Sequence, residues 1–210
     1  MSSHALSDKA QKLQHAELPP EFQDQEESIK ITGFWLFIVT DVLIFASLFA
    51  TYAVFVNRIA SGPTPAQVFQ LNTALIETLI LLTSSFTIGI AIWAMRQNRQ
   101  RMVLGWLALT VALGIAFVAI ELVEFAGDVA VGWGWHTSAF LSSFFLLVAA
   151  HGTHVTIGII WAVALLFQLR KRGLTTVTRR KLYTFSLYWH FLDIMWVFIF
   201  TVVYLGGRLI

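Results

Sequence analysis

Five runs of the chain, roughly Gly33–Val56, Asn72–Met95, Val103–Phe125, Ser138–Leu169 and Tyr183–Gly206, are long and apolar enough to cross a bilayer, and none contains a lysine or an arginine. A spanning helix needs about 20 mostly apolar residues. Its backbone polar groups must bond to one another, because the hydrocarbon supplies no water. The five runs therefore predict an all-α polytopic membrane protein, a bundle of five transmembrane helices. The fourth run is over-long, which a tilt or a protruding first turn accommodates. Only 12% of the 210 residues are charged, against about 25% in an average soluble domain. With no cysteine in the chain, disulfides, thiolate metal sites and covalent haem attachment through thiols are excluded. A net charge of +2, carried by loops, offers no nucleic-acid face.

The distribution of cations predicts direction. Lys9, Lys12 and Lys30 precede the first run; Arg96, Arg99 and Arg101 follow the second; Arg170, Lys171, Arg172, Arg179, Arg180 and Lys181 lie between the fourth and fifth. Only Arg58 and Arg208 fall on the other side. Short loops rich in Lys and Arg stay in the cytoplasm, so the N-terminus is expected inside and the C-terminus outside. Residues 1–30 are polar, with six acids and no apolar stretch of a cleavable signal. They are expected to form a cytoplasmic tail, partly disordered, ahead of a membrane domain over 31–210. SGPTP marks a turn after the first run, and Gly173 after LRKR suits a helix cap. No internal repeat is visible, which weighs against common transporter architectures.

Eight ionisable residues stand inside the runs: Asp41, Glu77, Glu121, Glu124, His151, His154, His190 and Asp193. A charge at mid-bilayer costs at least about 2.5–3.5 kcal/mol, so such groups face protein and pair. Alternating helix direction sorts them by depth. Asp41, His190 and Asp193 form an inner layer. Glu77, Glu121, Glu124, His151 and His154 form an outer one. The expected ties are Asp41 to His190, and a carboxylate of the third helix to His151 or His154. Other readings use the same residues. Glu121-x-x-Glu124 and His151-x-x-His154 each share a helix face and could meet around two metals. A histidine could ligate haem. Asp41, His190 and Asp193 could pass protons. Di-metal bundles mix Glu and His on one helix, whereas here the ligand types are segregated, and Ala149, Ala150, Gly152 and Thr153 around His151 suit close helix contact. The residues favour interhelical hydrogen-bonded ties, with no catalytic, cofactor-binding or metal-binding residue assigned.

Several stretches resemble subunit III of haem-copper terminal oxidases. YWHFLDIMWVF (Tyr188–Phe198) is similar to the last-helix signature of that family, and HGTHVTIGIIW (His151–Trp161) to its H-x-x-H-V-x-x-G-x-x-W helix. GFWLFIVTDVLIFASLFATYAVF (Gly33–Phe55) resembles its carboxylate-bearing helix, with Asp41 where many members carry Glu. ELVEF, from Glu121 to Phe125, matches the acidic pair of the third span. Many members have seven helices. The five-helix form, SGPTP, KRGLT and FTVVYL look closest to the quinol-oxidising branch of the cytochrome bo type; some cytochrome c-oxidising relatives also have five. The resemblance implies an accessory subunit in a bacterial inner membrane, without redox cofactors of its own. It would belong to a complex that oxidises ubiquinol, reduces oxygen to water and pumps protons. Haem and copper would sit in subunit I. Subunits I and II, a fourth subunit and membrane phospholipids would be partners. The competing readings are a subunit III of cytochrome c oxidase, an independent metal- or haem-binding membrane protein, and a small proton or solute transporter.

Overall fold

The computed structural model describes residues 25–60 and 62–208. Most of the expected tail, including Lys9 and Lys12, lies outside the described residues. Five long helices follow one another: α1 (Gln25–Phe55), α3 (Leu71–Arg96), α4 (Gln100–Ala130), α5 (Ala139–Arg172) and α6 (Thr176–Ile199), with a short α2 (Pro65–Val68) between α1 and α3. All five long elements contain a stretch long and apolar enough to span a membrane. Helix α1 starts at Gln25, so the last residues of the predicted tail are already helical.

Local chemistry sets the ends. Gln67 Oε1 accepts the Thr64 N–H at 3.0 Å and fixes the turn into α2. Ser138 caps α5 by accepting from the Leu141 N–H at 3.1 Å. At its other end Arg170, Lys171 and Arg172 face the negative pole of the helix dipole. Gly173 then turns the chain at φ 69°, a left-handed conformation suited to glycine. Thr175 caps α6. Beyond Ile199, α6 widens into a π-helical stretch, Phe200–Leu205, that brings Tyr204 into the core.

Helices α3, α4, α5 and α6 close a four-helix ring, each packed against the next and α6 back against α3; α1 lies outside, against α5 and α6. Burial reflects this. In the most apolar window of α6, 56% of residues are buried within the chain, against 17% in α1. Hence α1 keeps Trp35, Leu36, Leu43 and Val54 exposed, an apolar surface suited to lipid. At one end of the bundle, Arg179 joins the two basic loops, donating to the Met95 carbonyl at 3.2 Å and to Asn98 Oδ1 at 2.9 Å. That end is called the basic face below, and the opposite end the far face.

Candidate functional site

The eight predicted intramembrane residues fall into three groups, and their pairing differs from the expected one.

The first group joins α1 to α5. Asp41 is buried, and its Oδ2 lies 3.9 Å from His154 Nε2. His154 Nδ1 donates to the Ala150 carbonyl at 2.7 Å, which leaves Nε2 for the carboxyl. Phe45 closes over the imidazole, ring centres 5.3 Å apart, and Tyr188 of α6 donates to the His154 carbonyl at 3.0 Å. His154 therefore belongs to the depth of Asp41. The expected tie from Asp41 to His190 is replaced by one to His154.

The second group joins α6 to α3. His190 Nδ1 and Ser85 Oγ are 3.1 Å apart, and Asp193, one turn further on, stands beside the same hydroxyl. The Trp189 indole N–H donates to Ser84 Oγ at 2.9 Å. Seven residues along α6, Trp196 donates to Thr78 Oγ1 at 3.0 Å. Moving seven residues forward on α6 moves six back on α3, as antiparallel helices require. His190 and Asp193 thus anchor α6 to α3, not to α1. Sequence reasoning missed Ser84, Ser85 and Thr78. The available signal was hydroxyls on one helix at the depth of indole N–H groups on another.

The ring has no slack around this seam. A methyl on Gly114 of α4 would lie 2.8 Å from the Trp189 ring, and one on Gly158 of α5 would lie 3.0 Å from it. Trp189 therefore touches three helices at once. Thr87 of α3 and Thr110 of α4 are hydrogen-bonded at 2.8 Å on the basic-face side.

The third group lies towards the far face. Glu77 of α3 is fully buried, with no hydrogen-bond partner for either oxygen, and lies within electrostatic reach of Glu121 and Glu124 of α4. Glu121 packs on the α5 backbone: a Cβ at Gly152 would come 2.6 Å from its Oε2. The expected bond from a carboxylate of this helix to His151 or His154 is therefore not made. His151 is fully buried with neither ring nitrogen hydrogen-bonded, walled by Phe117 at 5.7 Å and Trp196 at 5.2 Å between ring centres. Asp128, which sequence reasoning did not single out, extends the acidic stripe of α4 and is buried.

These placements separate the residues that a di-metal centre would need. His154 turns to Asp41, and Glu121 to the backbone of Gly152. Among the described residues, no group of three or more His, Asp or Glu side chains converges as a metal site. The arrangement is suited to holding helices in register.

The sequence was also compared with known proteins. The family model for cytochrome c oxidase subunit III matches residues 24–208. The chain is 47% identical over 200 residues to quinol oxidase subunit 3 of Bacillus subtilis (strain 168), covering 93% of this chain and 98% of that protein. It is 48% identical over 179 residues to cytochrome bo(3) ubiquinol oxidase subunit 3 of Pseudomonas putida, covering 85% and 86%. Likeness to the probable quinol oxidase subunit 3 of Staphylococcus aureus (strain USA300) is 43% over 183 residues, covering 87% and 91%.

Proposed function

The chain belongs to the cytochrome c oxidase subunit III family, and from that premise we propose that it is the non-catalytic third subunit of a proton-pumping terminal oxidase that oxidises ubiquinol and reduces oxygen to water. The relatives named as quinol oxidase subunits support the quinol branch. The observation that carries the accessory role is the use of the buried polar groups. Asp41, His154, His190 and the two indole N–H groups are directed at neighbouring helices of the same chain. The scaffold they hold keeps an apolar exterior, led by α1, for neighbouring subunits and phospholipids.

In this reading haem and copper reside in subunit I. The present chain packs beside it, with subunit II and a fourth subunit completing the complex, and stabilises the haem-bearing subunit and its lipids. The membrane is the bacterial inner membrane. The basic face is cytoplasmic, as is the N-terminal tail, and the C-terminus is periplasmic. The membrane domain spans 31–210.

The test is purification through a tag on this chain. Co-purification of a haem- and copper-bearing complex with ubiquinol-driven oxygen consumption is expected. A haem or transition metal held stoichiometrically by the isolated chain would overturn the accessory reading.

A further inference from the structure

Among the described residues, several carboxyl groups at the far face lack a partner. Glu121, Glu124 and Asp128 lie on one face of α4, at spacings of three and four residues. Among the described residues, neither Glu124 nor Asp128 has an ion-pair partner. Asp128 is only 6% exposed, and its Oδ2 has no hydrogen-bond partner. Glu77, wholly buried and also unpartnered, approaches the same group from α3. Removing a carboxylate from water without a counter-charge is costly, so such a group pairs or takes up a proton; the basic residues that the sequence puts on this side are Arg58 and Arg208.

Both Glu124 and Asp128 line a cavity of about 550 Å3 between the far ends of α3 and α4. Its other walls include Gln70 and Thr73 of the α3 end, Val123 of α4, and Trp133. The Trp133 backbone N–H closes the turn by donating to the Asp128 backbone carbonyl at 2.9 Å, and Trp133 lines the same cavity as the two carboxyl groups. Gly132, at φ 90°, makes that turn possible. The cavity thus combines an acidic floor, an aromatic wall that suits a cation, and aliphatic sides.

We propose that this cavity is a socket for a lysine side chain of a neighbouring subunit. The inference rests on the reading of the chain as one subunit of an oxidase. Three chemical arguments select the occupant. A metal ion lacks a converging ligand set here. An aminophospholipid would bring its phosphate with its ammonium, and the cavity walls offer that phosphate no cation. Arginine prefers a planar carboxylate fork, whereas Glu124 and Asp128 are stacked along the helix about 6 Å apart in rise. A lysine stem can lie along Val123 and Trp133 and turn one ammonium to both carboxylates.

The test uses the assembled complex in its native membranes and a water-soluble carbodiimide. The reagent activates a carboxylate; a lysine Nζ in contact displaces it, forming an amide, while the carboxylate oxygen leaves in the urea. Mass spectrometry should find the peptide bearing Glu124 or Asp128 joined to a lysine of another subunit. The double variant Glu124→Gln/Asp128→Asn should lose that adduct and retain at least severalfold less of the cross-linked subunit after a salt wash. Attachment to an aminophospholipid headgroup would overturn the proposal. So would the absence of an adduct at both residues while other carboxylates react, or unchanged retention in the double variant. Haem that co-purifies without the cross-link would overturn the socket alone; a preparation without haem would overturn the oxidase reading.

Discussion

Trp189 of α6 donates its indole N–H to Ser84 Oγ of α3 at 2.9 Å while its ring fills the gap between Gly114 of α4 and Gly158 of α5. One side chain therefore sets the spacing of the entire four-helix ring. Around it the hydrogen bonds of His190 and Trp196 repeat the same helix pairing at neighbouring depths.

The first prediction concerns that bond. Ser84→Ala leaves a buried N–H without an acceptor, and Trp189→Phe removes the donor. Interhelical hydrogen bonds in membranes contribute about 0.6 kcal/mol on average and at most about 1.7. A double-mutant cycle on the heat-induced unfolding of the purified protein should return a coupling of that size. Additive effects would show that the bond contributes nothing.

The two glycines give a steric prediction. Alanine at Gly114 forces a methyl to 2.8 Å from the indole. Overpacking of this kind costs about 1–3 kcal/mol, read as a lower unfolding midpoint. Gly105, beside which a Cβ meets nothing within 4 Å, is the control: Gly105→Ala should leave the midpoint unchanged or raise it.

Asp41 governs the outlying helix. Asp41→Leu deletes the carboxyl facing His154 Nε2 and leaves α1 with packing alone. If the contact contributes up to about 1 kcal/mol, hydrogen exchange along Phe34–Phe55 should accelerate up to about fivefold, while α6 is little changed. Equal acceleration in both helices would refute a local role.

Helix partnership can be read by cross-linking, because the chain has no cysteine of its own. The pair Ser85→Cys/His190→Cys should join efficiently through a short methanethiosulfonate spacer, and the pair Asp41→Cys/His190→Cys should not. The reverse result would restore the tie between α1 and α6 that the sequence suggested.

The sequence analysis and the structure part company at His154 and His190. Depth along a helix follows from counting residues, and that counting put Asp41, His190 and Asp193 in one layer. Counting misplaced His154, because α5 runs 34 residues and the reference point for depth was uncertain by several turns. It also could not choose the partner of His190. Asp41 and Ser85 lie at comparable depth, but on helices at different positions around α6. The charged residues drew attention, while the neutral Ser84, Ser85 and Thr78, which supply the α3 side of the seam, carried no signal alone.

The sequence by itself determined five spanning helices and the family, because hydrophobic length is a property of each segment against its solvent and the motifs run in order along the chain. Which helices are neighbours, and which face each presents, was decided only in three dimensions. Rotation about a helix axis is set by packing, here by an indole between two glycines. That same rotation turned His154 to Asp41 and His190 to Ser85, and left Glu124 and Asp128 facing a cavity without an ion-pair partner among the described residues.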